Sequence, residues 1–411
     1  MDKSSNKMSN RNTFLVNVIL NGIATMIPVF VLQVILYPRI DGVLGETGFG
    51  KMITITGIIT VISGTLGGAL NRIRVIYNAE YIKENIEGDF NIILILEMVF
   101  GGLSFIVGYR IIVGDSGWVT LGFGVIISAL WCLWAYLMAF FRIMLNYAQI
   151  LVNNACLSIG YLAGHILFLK TGYWEMVFIT GYSVALIHAF VFSDIVREGI
   201  KVTKLFRRTF RETSLLIMAS LVSATVTYAD RFIVYPVMGG FFVTVYYVGS
   251  IIGKVVGLAA EPVGHVVLSY IARIDCISKT VVKRYIFWIS VIGMGGYMLC
   301  LIAGRPIIRY LYPSYYDEAM SVFPLTSAGA IILVLIGLLN PFILKYHEKK
   351  VFFIINLMAL ALYTSMGLAL SDLYGLRGFC IGGLISNFLQ YLALIFVCLN
   401  TKGKSITKEG R

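Results

Sequence analysis

Charge is scarce in this chain, and so are proline and any pairing of cysteines. Only 13% of the 411 residues are Asp, Glu, Lys or Arg, where ordinary soluble domains carry about 25%. With 58% hydrophobic residues, too little polar surface remains to cover a water-soluble fold. Cys132, Cys156, Cys276, Cys300, Cys380 and Cys398 fall mostly inside apolar stretches without paired spacing, which argues against a disulfide framework and leaves them as packing residues. Enzyme signatures are missing too. There is no phosphate-cradling GxxxxGKS or GxxxxGKT loop, no HExxH and no Cys/His cluster with metal spacing, so no cofactor, no metal and no ATPase chemistry is expected.

What is present is one apolar stretch after another. A helix needs about 20 mostly apolar residues to cross roughly 30 Å of hydrocarbon. Such stretches run at about 13–37, 52–71, 91–113, 118–141, 149–169, 176–193, 213–237, 242–271, 285–303, 319–344, 351–370 and 378–399. The expected fold is an all-α integral membrane protein of about twelve transmembrane helices. The polar, basic start from Met1 to Arg11 lacks a small-residue cleavage site, so the first stretch reads as a retained helix.

Lys and Arg gather on every second loop. With the N-terminus inside, about 24 of the 33 basic residues fall on the inner side and 7 on the outer, so the positive-inside rule puts both termini in the cytoplasm. The net charge of +12 is then a topology signal spread over loops that face anionic headgroups. It is not a nucleic-acid footprint.

The longest polar segment, Asp194 to Glu212, divides the chain into six-span halves, residues 1–200 and 201–411. Across it the sequence echoes itself at a spacing of about 195 to 200 residues. Tyr37-Pro38 and Leu44-Gly45 match Tyr235-Pro236 and Met238-Gly239. Gly108-Tyr109-Arg110-Ile111-Ile112 matches Gly304-Arg305-Pro306-Ile307-Ile308, and Asn146-Tyr147 resembles Lys345-Tyr346. Two like-oriented halves are the pattern of parallel-repeat transporters, whose substrate path lies between them. Glycines within the spans read as close helix packing, and Pro28, Pro262, Pro324 and Pro341 as kinks.

Ionisable groups inside a span cost several kcal/mol unless paired or hydrated. Here they are Glu97, His165, His188, Asp230, Arg231, Lys254, Glu261 and His265. Asp230 and Arg231 are adjacent, so on a helix they point about 100° apart and each needs another partner. Lys254, Glu261 and His265 fall on one helical stripe, which should face water. An alternative puts Glu261 and His265 at the cytoplasmic interface beside Pro262. A pyrophosphate group would call for cations in the core: Arg supplies a fork for phosphate oxygens and Lys a point charge. Arg231 and Lys254 are therefore the candidate phosphate ligands, with Arg72, Arg74 and Arg142 near the cytoplasmic mouth as capture sites. Glu97, Asp230 and Glu261 are candidates for charge balance or for carrying a coupling ion. Trp131, Trp134, Tyr136, Tyr246 and Tyr247 offer rings for stacking on sugars, although packing and interface belts account for most membrane aromatics.

Four segments carry a family likeness: Ile35-Leu36-Tyr37-Pro38-Arg39 through Gly48-Phe49-Gly50, Ala229-Asp230-Arg231-Phe232-Ile233 through Tyr246-Tyr247, Leu311-Tyr312-Pro313 through Tyr316-Asp317-Glu318-Ala319, and Tyr374-Gly375-Leu376-Arg377-Gly378. In these the chain resembles the lipid-linked oligosaccharide flippases of polysaccharide biosynthesis, within the multidrug/oligosaccharidyl-lipid/polysaccharide exporter superfamily. The resemblance implies two pseudo-symmetric six-helix bundles around a cationic cavity in a prokaryotic plasma membrane. It also implies alternating access that moves a polyprenyl pyrophosphate-linked oligosaccharide to the outer leaflet, with glycan polymerase and assembly proteins as candidate partners. Asp230 and Arg231 occupy the family's acidic-basic pair. Competing readings are a drug or small-cation exporter of the same superfamily, a membrane polysaccharide polymerase and a non-transporting scaffold.

The outer loops are too short for a catalytic domain. Protease outside sealed, right-side-out vesicles should leave the chain uncut, and opened vesicles should show cleavage between Asp194 and Glu212; release of a sizeable external fragment would contradict this topology.

Overall fold

The computed structural model describes residues 20–114, 117–271, 278–347 and 349–400, with the side chains of residues 196, 258–271, 344, 345, 349, 352 and 353 outside the description. Among the described residues ten helices are long and apolar enough to cross a membrane. They are α1 (Leu20–Glu84), α2 (Asp89–Ile112), α3 (Trp118–Ile143), α4 (Tyr147–Thr171) and α5 (Glu175–Phe192). After a short 3-10 turn at Asp194–Arg197 come α6 (Phe206–Met238), α7 (Gly240–Ile271), α8 (Lys279–Leu311), α9 (Tyr316–Tyr346) and α10 (Lys349–Leu399).

Ten helices and twelve expected spans are reconciled by glycine. Gly45 (φ 70, ψ 176) breaks α1 into two limbs, and Gly375 (φ 58, ψ −142) does the same to α10. Gly239 (φ 91, ψ 176) alone separates α6 from α7. A side chain is barely tolerated in this region of backbone space, so each break needs the glycine it has. Gly45 and Gly239 are the matched glycines of the internal repeat and adopt nearly the same unusual conformation. Other ends follow ordinary rules: Asn146 caps α4 by accepting from the Gln149 N–H at 3.2 Å, Ser278 caps α8 through the Val281 N–H at 3.3 Å, and Gly172 (φ 78) ends α4. A π-helical turn, Val31–Leu36, lies shortly after Pro28 in the first limb of α1.

The chain forms two compact units, one ending at Phe241 and the other beginning at Phe242. The sequence repeat places its divide at 200/201; in the packing, α6 joins the first unit because it lies along α1. Added at Gly50, a methyl would overlap the Gly240 carbonyl, and one added at Gly240 would overlap that of Thr47. Ion pairs reinforce the join: Lys204 meets Glu84, and Arg208 meets Glu80 at 2.9 Å. The basic stretch 206–212, expected as loop, is the first turns of α6.

Within each unit the same small-residue crossings recur. Gly67 of α1 sits against the Cys132 carbonyl and Ala135 of α3, and Gly253 of α7 sits against Ser327 and Ala330 of α9. Gly181 lies under the Tyr161 ring, and Gly383 under that of Tyr363. Close backbone approach of this kind is what holds helices together where lipid offers no hydrophobic contrast. Polarity is turned outside in: Leu96, Val99, Phe100 and Leu103 of α2 and Trp288, Ile292 and Ile302 of α8 are exposed, while Asn71, Arg74, Asp89, Glu97, Asn153 and Glu175 are buried. The protein is a multi-pass membrane protein.

Gly50→Ala should destabilise the fold by about 1–3 kcal/mol through overpacking, read as a lower unfolding temperature in detergent. Gly68→Ala, with nothing within 4 Å of the added methyl, should be neutral; equal effects at both sites would contradict the packing.

Candidate functional site

Asp230 and Arg231 sit on α6 where it crosses the start of the second limb of α1. Asp230 is 5% exposed, and its Oδ1 accepts from the backbone N–H of Arg231 at 2.9 Å. The Arg231 guanidinium diverges from it, as adjacency on a helix demands. It lies over the Tyr228 ring at 4.9 Å and approaches the Ile53 carbonyl with Nη1 at 3.4 Å. Gly57 makes room, since a methyl there would come 3.3 Å from Arg231 Cδ. Tyr37 of α1, hydrogen-bonded to Thr56, is within electrostatic reach of Arg231 and Tyr228. Tyr161 and Tyr182, joined by a hydrogen bond, extend this group into α4 and α5. The result is a half-buried cation with phenol groups around it, inside the first unit.

Tyr161, Tyr182 and Tyr228 were not singled out in the sequence, and Tyr37 only within the repeat and the family likeness. Tyr37, Tyr161, Tyr182 and Tyr228 come from four separate helices, and nothing short of the packing brings them together. Of the aromatics that were singled out, Trp131 stacks on Tyr182 at 5.4 Å and Trp134 lies 5.7 Å from it. The Trp134 Nε1–H also donates to Asn153 Oδ1 at 2.7 Å. These two rings are thus engaged within the protein. Asn153 Nδ2 bridges onward to the Ala185 carbonyl at 2.8 Å and to His188 Nδ1 at 3.1 Å, and His188 Nε2 meets Gln149 Oε1 at 3.0 Å. A singly protonated imidazole satisfies every member of this chain, which accounts for an intramembrane histidine structurally. His165 is buried beside Phe168.

The remaining cations divide by the helix face they occupy. Arg72 and Arg142 are exposed at one end of the first unit and feel one another's charge; Arg142 Nη1 donates to Asn71 Oδ1 at 2.9 Å. Arg74, only two residues from Arg72, points the other way. It is 6% exposed, ion-paired with Glu198 and stacked over Phe90 at 4.7 Å, so it does not share the exposed face expected of a capture residue. Burial lifts the Glu198 carboxyl above the usual carboxylate range, with the Arg74 charge opposing that rise. Glu97 is 5% exposed, and its Oε2 accepts from Cys132 Sγ at 3.9 Å. In the second unit, Lys254 Nζ lies over the Tyr246 ring at 5.5 Å, and Tyr246 meets Phe379 edge-on. The side chains of Glu261 and His265, and with them the expected stripe below Lys254, lie outside the described residues.

No family model and no curated protein matches the sequence. Solved structures do. The chain is similar to the lipid II flippase MurJ in an inward closed conformation, at 15% identity and a TM-score of 0.60 over 94% of this chain and 86% of the other. It is similar to an inward-facing multidrug resistance MATE family transporter of the MOP superfamily, at 13% identity and a TM-score of 0.65 over 94% and 99% of the two chains. It is also similar to the eukaryotic MATE transporter AtDTX14, at 15% identity and a TM-score of 0.61 over 94% of each. Identities this low speak for the fold and not for the cargo. The chain thus shares its fold with a lipid II flippase and with MATE transporters.

Proposed function

We propose that the protein is a flippase for a polyprenyl pyrophosphate-linked oligosaccharide, carrying it from the cytoplasmic to the outer leaflet of the plasma membrane by alternating access during cell-surface polysaccharide synthesis. The observation that carries this reading is Arg231. Its guanidinium is half-buried in a membrane protein, lies over Tyr228 and approaches the Ile53 carbonyl at 3.4 Å; a permanent cation at such a place marks a functional site. Its planar fork suits phosphate oxygens. The phenols near it are donors of the kind that bind phosphate or sugar hydroxyls.

In this reading Arg231 and Lys254 are phosphate ligands. Arg72 and Arg142 attract the headgroup from the cytoplasm, and Asp230 and Glu261 balance charge. The fold is one that also serves a lipid II flippase, so it is compatible with a lipid-borne cargo. A drug or small-cation exporter is disfavoured, because a cation at the binding site repels cationic cargo. The chain makes and breaks no bonds in this role; glycan polymerase and assembly proteins would act on what it delivers.

Arg231→Ala should cut appearance of the glycan outside the cell by about tenfold or more, the loss of one charge-assisted hydrogen-bonding group, at unchanged protein level. Arg231→Lys should restore part of it. Full export by both Arg231→Ala and Lys254→Ala would remove the phosphate-ligand assignment.

A further inference from the structure

Five buried polar atoms in the first unit have no hydrogen-bond partner among the described residues and belong to side chains linked by contact or electrostatics: Nε and Nη1 of Arg74, Oη of Tyr136, Oε1 of Glu97 and Oε2 of Glu198. Arg74 is 6% exposed, Tyr136 0% and Glu97 5%. The Tyr136 hydroxyl feels the charges of Arg74, Glu198 and Glu97 together. Cys132, one turn before Tyr136 on α3, donates to Glu97. Arg74 meets Glu198 with Nη2, which leaves its other two nitrogens and the second carboxylate oxygen of Glu198 open.

Leaving a buried donor or acceptor unmet is costly, so five in one cluster of side chains call for an occupant. Its chemistry follows from the set. Arg74 offers donors, the two carboxyls offer acceptors, and Tyr136 offers both. An anion would face two carboxyls, and a metal ion would face the guanidinium. Water suits a mixed set, since a buried molecule typically makes about three hydrogen bonds to groups otherwise unmet. The cluster is also graded along the bundle: Glu198 belongs to the loop at 193–205, whereas Glu97 lies two turns into α2.

Glu97 has no ion-pair partner among the described residues. The titratable groups that face it are Cys132 and Tyr136 from α3, and Arg74 of α1 reaches the group through Tyr136. At this end α6 buries only the uncharged Thr209 and Thr213. A buried carboxyl with one weak thiol donor has the surroundings of a proton carrier and not of a permanent ion.

We propose that Glu97, Tyr136, Arg74 and Glu198 line a hydrated site inside the first unit in which Glu97 binds and releases one proton, exchanged with solvent on the side of the 193–205 loop. A hydronium gives its proton to Glu97 Oε1 and departs as water; the new O–H donates to Tyr136 Oη or to a neighbouring water. No electrons move. Arg74, tethered by Glu198, supplies donors that hold the water row and is a positioning residue. The site goes beyond the flippase reading and does not depend on which cargo is carried.

Infrared difference spectroscopy on the purified full-length protein in lipid nanodiscs, titrated across about pH 5–9 without any cargo, tests it. The wild type should show a protonated-carboxyl band that disappears as pH rises and shifts in heavy water. Glu97→Gln should abolish that band. Tyr136→Phe, which removes one hydroxyl and keeps the ring, should retain the band and move its midpoint by about half a pH unit or more. Absence of a titrating band in the wild type, its survival in Glu97→Gln, or an unmoved midpoint in Tyr136→Phe would each overturn the site. Because no cargo enters the measurement, failure here leaves the flippase assignment standing, and failure of that assignment leaves this result untouched.

Discussion

Hydrocarbon offers no hydrogen bonds, so each polar group that a membrane helix buries must be met by the chain itself or by enclosed water. Much of the structure follows. Hydroxyls fold back onto their own helices, as in Thr54 to the Gly50 carbonyl at 2.9 Å, Ser158 to Asn154 at 2.8 Å and Ser290 to Ile286 at 2.8 Å. Others stitch helices together: Ser63 to Ser128 at 2.5 Å in the first unit, and Thr326 to the Gly249 carbonyl at 2.6 Å in the second. Amides and imidazole close on one another around Asn153. Against this background the cluster at Arg74, Glu97, Tyr136 and Glu198 stands apart, because its atoms are buried and unmet at the same place.

The second consequence of the same solvent is that helices associate by shape. Glycine sets where they touch: Gly67 packs against α3 and Gly253 against α9, and the turn at Gly45 is matched in the sequence repeat by the turn at Gly239. Each unit thus brings its helices together through small residues.

This explains what was legible in the sequence. Span positions came from apolar length, and the matched glycines were visible as a repeat before their conformation was known. Helix phase was not visible. Arg72 and Arg74 looked alike beside one membrane face, but two residues along a helix turn the side chain by about 200°, and the packing of Gly67 on α3 fixes which of them points inward. The ends of α1 and α6 were also drawn short. Their charged turns read as loop, yet the Glu80–Arg208 and Glu84–Lys204 pairs let both helices continue. The tyrosines around Arg231 escaped notice because no periodicity links four different helices.

Function rests on the same electrostatic cost. A cation in a membrane interior marks a functional site, and in the reading proposed above Arg231 meets a phosphate-bearing lipid headgroup whose tail remains in the bilayer. Native mass spectrometry of the purified protein offered equal amounts of a polyprenyl pyrophosphate and the same polyprenol without phosphate tests this most directly. Selective retention of the pyrophosphate, weakened by added inorganic pyrophosphate, is the expected result; equal retention of both lipids would contradict recognition of the headgroup.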